Sequence, residues 1–431
     1  MLTQTLRVRA CAWALLMMAL VYTDSIYADI VPDNAPSPLL LEEAIQRALD
    51  QQPLVQAYQS AAHTAREQAH VAAQLPDPQL KIGIINLPIT GSDALRLNRE
   101  DMTMTTIGLM QNRVRPVKRA AASAQLRAQA EVMTANAANT RQQIRRDVSL
   151  AWLDVFAAER TADLRQRMAD EFRAERDIAA AQLASGTITA TELLQQDTLL
   201  AMTHDQQLMA QREASKARSV LSRWLGSDIT QALPTELPEV DDTLPTRNQT
   251  MISHHPLLLA AASNVSVNHH QATLADAEDQ PNWAWEIMLG QRQGSRADMV
   301  SVQLTMDLPW QKQHRQQHQQ AAAWANVQQA EFLAEDQQRI LLADLAEAQA
   351  DYRIAEAREQ EHQQRLIPAT TAALTTTQAA YQTGKVPLST VWSARRAVLT
   401  VELEHWLITI DRLRALVRLH YLLDNDEGET P

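Results

Sequence analysis

Histidine and methionine are the side chains of this sequence best suited to chemistry. The chain carries 12 His and 14 Met, and imidazole and thioether ligands suit soft or borderline cations such as copper and zinc. Three arrangements stand out: His254 with His255, His269 with His270, and His314 with His318 at i, i+4. A metal site needs convergence, and these pairs do not supply it. Adjacent histidines on a helix point to different faces. No third ligand stands at a diagnostic spacing, and most of the methionines occupy apolar positions, where Met packs. The expectation is therefore no metal site and no cofactor. Acidic residues and histidines spread along helix faces without a nucleophile–base constellation. There is no Gly-rich phosphate loop and no zinc-type Cys spacing, so no enzymatic activity is expected. A formal net charge of −12 excludes a nucleic-acid surface.

The one cysteine, Cys11, lies in a segment that reads as a targeting signal. Arg7 and Arg9 precede an apolar run, residues 12–21, that is too short to span a bilayer as a mature helix. Ile26, Tyr27 and Ala28 offer a cleavage site, so residues 1–28 are expected to be removed. A short buried N-terminal helix is the alternative. Cys11 precedes the apolar run, unlike a lipid-anchor cysteine. Export leaves a mature chain without disulfides or thiolate chemistry. No later segment approaches the ~18 apolar residues of a membrane helix. A membrane crossing would have to use strands.

What could position these side chains is a set of very long helices. The sequence has only 9 Gly and 3 Phe, with runs of Ala, Gln, Glu, Arg and Leu, a profile of extended helices rather than compact globules. Helical periodicity runs from Leu41 to about Gln74, where Pro76 and Pro78 stop it. From Pro116 no further Pro or Gly occurs before Gly186, a stretch that as one helix would reach roughly 100 Å. A second helix is expected from about Thr191 to Leu225. Residues 226–247 carry Gly226, Pro234, Pro238 and Pro245 and read as a linker. The pattern then recurs. HHPLLLAAA answers QQPLVQAY, Pro256 answers Pro53, and Pro281 ends its helix as Pro76 ended the first. LASGTITATELLQQDT (183–198) and YQTGKVPLSTVWSARR (381–396) align without a gap, Gly186 on Gly384. An internal duplication follows: a first unit over 29–225, a second over 248–425, and an acidic tail over 426–431.

Each unit carries a hairpin, over 79–112 and 283–308. Val300, Val302, Leu304, Met306 and Leu308 alternate with Ser301, Gln303, Thr305 and Asp307, the period of a strand with one apolar face. A soluble sandwich and a membrane barrel share that alternation. Strand number separates them. Four strands cannot close a barrel whose smallest members have about eight, and an open edge in lipid leaves backbone groups unpaired. Either the strands lie outside a membrane, or several chains share one barrel; three chains would give an even 12 strands.

With export signal, duplicated helix–hairpin–long helix–helix units and Gly turns, residues 35–425 resemble the outer membrane efflux proteins of the TolC type. The resemblance implies a fold that is mainly α with a small transmembrane β part. In it a trimeric 12-stranded β-barrel is continuous with an α-helical barrel in the periplasm. It implies a passive exit duct in the cell outer membrane. The implied partners are a periplasmic adaptor protein, an inner-membrane transporter of the RND type, two further copies of the chain and outer-membrane lipid. The turns at Gly186–Thr187 and Gly384–Lys385 would be periplasmic tips that meet the adaptor. The family archetype places acidic residues six and nine positions after the tip Gly. Here those positions hold Glu192 and Gln195 in the first unit and Thr390 and Ser393 in the second, so only Glu192 keeps the charge. Glu192, Gln195, Thr390 and Ser393 are the candidate gate, with Glu192 attracting cations; otherwise Glu192 is an ordinary acid at a helix start, with Thr189 or Thr191 as cap. PDPQLKIG before the first hairpin and PVKRAAA after it are similar to the heavy-metal branch of the family, which implies metal cations as substrate. Multidrug or organic-compound efflux is the alternative substrate class. A periplasmic adaptor or a coiled-coil scaffold ranks behind both, because two helical hairpins are joined to two amphipathic β-hairpins behind an export signal. Arg113, Arg115, Lys118 and Arg119 would lie at the periplasmic rim of the barrel, facing headgroups or helix carboxylates, or would form a solvated helix start.

Overall fold

A computed structural model describes residues 38–226, 231–234, 236–237 and 252–423. The expected signal peptide, most of the linker and the acidic tail lie outside these residues. The chain divides into two compact units. The smaller comprises Met1–Leu40 and Thr230–Leu237; within it the Leu39 amide donates to the Ala232 carbonyl at 2.9 Å. The larger unit holds all the elements described below.

Its elements run α1 (Leu41–Gln51), α2 (Pro53–Ala73), β1 (Gln79–Ile85), β2 (Met104–Arg113), α3 (Pro116–Ala184), α4 (Ala190–Leu225), α5 (Pro256–Ala277), β3 (Trp283–Arg292), β4 (Met299–Met306), α6 (Gln317–Glu361), α7 (Ile367–Gln382) and α8 (Leu388–Leu423). Two five-residue π-turns flank α6, Lys312–Gln316 and His362–Leu366. The first helix expected from sequence is in fact two. Gln52 is extended at φ −86°, ψ 108°, and Pro53 opens α2. The residue before a proline is pushed out of the α region, and proline suits the first helical turn.

α3 is a single helix of 69 residues. Pro116 starts it, and no Gly or Pro interrupts it. At 1.5 Å per residue it is about 100 Å long. It packs against α1, α2, α4, α5 and α8, so elements from both sides of the linker share one body. Many of its buried positions are alanine, including Ala121, Ala128, Ala137, Ala151, Ala157, Ala169 and Ala179. Small side chains let neighbouring helices approach closely. Larger ones mark its middle: Trp152 stacks on Phe156 at 5.3 Å, and Phe156 meets Trp406 of α8 at 5.4 Å.

The second long rod is built differently. It runs through Pro368. The π-turn explains how. The Ile367 amide donates to the His362 carbonyl, five residues back. The turn is widened just ahead of the proline, whose ring would clash with the carbonyl four residues before it in a regular helix.

The strands form one antiparallel sheet of order β1-β2-β3-β4. The first hairpin is shorter at its loop end than expected, because Asn86 turns left-handed at φ 58°. Its carbonyl accepts from the Thr103 hydroxyl at 2.8 Å. Register aligns the apolar side chains on one face. Ile82, Ile107, Leu289 and Val300 form one row, and Leu80, Leu109, Ile287 and Val302 the next. All eight are exposed, Val302 at 75%. The opposite face carries Lys81, Gly108, Met288 and Ser301 in one row and Gln79, Met110, Glu286 and Gln303 in another. There Thr106 and Ala284 are buried, and Lys81 pairs with Glu286 at 2.5 Å. A soluble sheet covers its apolar face; this one turns it outward.

Candidate functional site

Two helix-to-helix turns lie at the ends of the long rods. At the first, the Gly186 amide donates to the Leu183 carbonyl at 3.0 Å and the Thr187 amide to the Gln182 carbonyl at 2.8 Å. At the second, the Gly384 amide donates to Tyr381 and the Lys385 amide to Ala380, both at 2.9 Å. These are two copies of one Schellman motif. Both glycines are left-handed, at φ 72° and 69°, a region that a Cβ makes costly. The turns expected from sequence therefore have a common physical basis, and Gly186, Thr187, Gly384 and Lys385 are all exposed.

The next turns differ. Thr189 caps α4 and forms a capping box with Glu192. The Glu192 amide donates to Thr189 Oγ1 at 3.3 Å, and Glu192 Oε2 accepts from the Thr189 amide at 2.7 Å and its hydroxyl at 3.1 Å. That satisfies orphan donors at the helix start, the structural role weighed from sequence. Gln195, Thr390 and Ser393 are exposed, and the Ser393 hydroxyl donates to the Thr390 carbonyl at 2.9 Å. Pro387 precedes α8 and has no side-chain acceptor. The four gate candidates thus occupy equivalent first turns of α4 and α8, with only Glu192 bearing charge.

Sequence reasoning missed the contacts that tie α8 to α3. On α8, Arg395 pairs with Glu171 of α3, and Arg396 with Glu175 at 2.6 Å. The Arg396 guanidinium also lies over the Phe172 ring, 5.3 Å from its centroid. Glu175 has only 5% of its side chain exposed. Burial raises its pKa, and the adjacent Arg396 opposes that rise. Further along, Arg414 reaches Asp154 at 2.6 Å. The partners lie more than two hundred residues apart. Arg395 and Arg396 within α8 were visible as charges; nothing local named their partners.

The histidines disperse. His255 caps α5, accepting from the Leu257 amide at 3.2 Å, with its ring edge-on to Tyr421 at 5.3 Å. Burial lowers its pKa, partly offset by the Tyr421 backbone. His269 packs on Trp324 at 5.4 Å. His314 lies in the first π-turn and His318 at the start of α6. His362 and His405 stack at 6.3 Å, a pair not foreseen from sequence. Among the described residues no group of three or more His, Cys, Asp or Glu is placed to hold a metal ion.

The basic corner after β2 is mostly a structural joint. Lys118 is buried and pairs with Glu278 at 3.0 Å. Arg115 Nε donates to the Pro281 carbonyl at 2.9 Å, and Arg119 to the Ala73 carbonyl at 2.6 Å. Arg113 instead stacks over Trp283, 5.8 Å from the ring centroid. A cavity of about 670 Å³ opens at this joint, between Val71, Leu75, Val114, Arg119 and Leu274.

Among the described residues no helix is long and apolar enough to cross a membrane. The structure resembles solved membrane proteins of low sequence identity. A membrane protein from Pseudomonas aeruginosa superposes with a TM-score of 0.76 at 18% identity, covering 89% of this chain and 92% of that one. The outer membrane protein VceC of Vibrio cholerae gives 0.74 at 16%, covering 89% and 95%. CusC, described as forming a transmembrane channel, gives 0.74 at 16%, covering 93% and 95%. These likenesses establish the fold. No curated protein matches the chain in sequence. Residues 248–425 match the model of the outer membrane efflux protein family, whose members are outer-membrane channels rather than enzymes. Over this second part, from before α5 to the end of α8, the chain is similar to the outer membrane efflux protein family.

Proposed function

We propose that three copies of this chain form the exit duct of a tripartite efflux assembly. The sheet carries the reading. Its exposed face is aliphatic, and its opposite face carries Lys81, Glu286, Gln79, Gln303, Ser301 and Gly108 beside Met110 and Met288, close to the arrangement of a strand set with lipid outside and water inside. β1 and β4 are open edges. In lipid each unpaired backbone group costs several kcal/mol, so the edges need partners. With β4 of one copy beside β1 of the next, three chains close a 12-stranded barrel. The recurring order of helix, hairpin, long helix and helix supports a duplicated unit over 29–225 and 248–425. The long helices would extend the duct through the periplasm. The tips at Gly186–Thr187 and Gly384–Lys385 would meet a periplasmic adaptor. An inner-membrane transporter of the RND type would supply the energy, since the chain itself is passive.

The gate belongs to the first turns of α4 and α8, with Glu192, Gln195, Thr390 and Ser393. Glu192 is held in its capping box, so its charge also serves the helix start. Unchanged cation selectivity of Glu192→Gln in a planar bilayer removes it from the gate. For substrate, the segments PDPQLKIG and PVKRAAA favour metal cations over organic compounds. A deletion strain challenged with copper, silver, zinc, cobalt and cadmium beside dyes, bile salts and antibiotics separates the two. Selective metal sensitivity, restored by the gene, supports the first; sensitivity to organic compounds alone replaces it. The duct itself is tested by reconstitution. A trimeric mass with stepwise conductance is expected, and a monomer without conductance in any bilayer sinks the reading.

A further inference from the structure

The helix-side end of the sheet is graded on its outward face. The aliphatic rows give way to Gln111, Trp285 and Leu304, and then to a last row of Arg113, Trp283 and Met306. Arg113 covers the Trp283 ring. After β4, Leu308 and Trp310 are exposed, Trp310 at 86%. Lys312 and Arg315 follow in the π-turn, exposed and outside every ion pair of the described residues. The charge here is segregated. The chain is acidic overall, at −12, yet no Asp or Glu occurs from Met102 to Ala130 or from Leu308 to Ala330. The structure also sorts the cations of this level. Lys118 is spent on Glu278, and Arg115 and Arg119 on backbone carbonyls. Arg113 on the outward face, and Lys312 and Arg315 beyond the sheet, are left exposed.

We propose that Arg113, Lys312 and Arg315, with Trp283 and Trp310, form a belt that binds the phosphates of anionic phospholipid in the leaflet facing the helices. The inference rests on the duct reading, which puts the apolar rows in lipid. Below an apolar band, indole rings favour the headgroup level, and cations at that level attract anionic lipid and are screened within a Debye length by salt. Guanidinium and ammonium groups both match phosphate oxygens. The π-turn contributes to this placement, since it sets Lys312 and Arg315 directly after Trp310, before α6 begins.

The test uses the full chain purified in detergent and mixed with equal amounts of phosphatidylcholine and phosphatidylglycerol. Lipid retained by the protein is then quantified by mass spectrometry. Wild type is expected to retain phosphatidylglycerol over phosphatidylcholine on the order of tenfold in low salt. The preference should fall toward unity in R113Q/K312Q/R315Q, while R339Q/R353Q/R365Q, which removes equal charge from α6 and the second π-turn, keeps it. High salt should weaken the preference in wild type. No preference in wild type, or an equal preference in both triple variants, overturns the belt. Conductance in a planar bilayer is measured on the same preparation. A conducting channel without lipid preference refutes the belt alone, whereas a protein that conducts in no bilayer refutes the duct and the belt together.

Discussion

The two long rods do the same geometric work with unlike means. α3 is one unbroken helix, wrapped by five neighbours and buried at positions all around its circumference. The second rod is assembled from α6, a π-turn and α7. It packs mainly on α5 and α8 and leaves Phe332, Leu333 and Ile354 exposed. The first rod is therefore the scaffold of the chain, and the second is fastened to it through α8. The tips repeat the contrast. Their C-terminal caps are identical in bonding, but the first is followed by a capping box and the second by Pro387.

The contrast makes unequal predictions, and the largest concerns the cores. Trp152→Ala should cost about 3–5 kcal/mol, since it empties a fully buried stack on Phe156. Phe332→Ala, at 70% exposure in a single chain, should stay within about 0.5 kcal/mol for an isolated chain. Denaturant midpoints test both. A comparable loss at Phe332 in the assembled protein alone shows that another copy covers this face.

The fastening comes next. Arg396→Met leaves the Glu175 carboxylate buried without its partner, at a cost of about 2–4 kcal/mol. Replacing Glu175 by Gln in the same chain should recover much of it. A double-mutant cycle with no coupling would show that α8 is not held to α3 here.

A smaller effect, about 1 kcal/mol, is expected for Thr189→Ala at the first tip. Hydrogen exchange should already be faster in the first turn of α8 than in that of α4, and the substitution should erase the difference. Equal exchange in wild type breaks the contrast between the tips.

The smallest effect is a pH dependence on the second side of the molecule. His255 is buried at the start of α5, and its folded pKa lies below 6.5. Above pH 6.5 it is neutral in both states and contributes no dependence. As pH falls through 6.5 the unfolded chain takes a proton that the folded chain refuses, so stability drops until the folded pKa is reached and then levels. His255→Asn keeps an acceptor for the Leu257 amide and should flatten the thermal midpoint across that window. An unchanged slope assigns the dependence to other groups.

Much of this was legible because punctuation and period are local. The clean run from Pro116 to Gly186 gave α3, and two-residue alternation gave β3 and β4. The tip glycines gave both turns, because a left-handed position excludes most side chains. The break at Gln52 was also written in Pro53, but apolar periodicity on both sides masked it. The π-turns carry no residue signature, since any helix-forming sequence can host one. The pairs Arg395–Glu171 and Arg396–Glu175 join residues far apart in the chain, and only the packed helices reveal them. Nor could alternation say which face of the sheet would be covered; the exposed aliphatic rows did.

The π-turn at His362–Leu366 has a consequence for phase. An α-helix turns about 100° per residue, and this turn absorbs one residue more than a regular helix would. In a regular helix that extra residue would rotate everything from Ile367 to the second tip by about 100°. Deleting a single residue within the turn should therefore restore a regular helix and leave the facing of α7 on α8 nearly unchanged. The first rod has no such joint and would spread the same deletion along its length. Length is thus hard-wired in one rod and angular setting in the other.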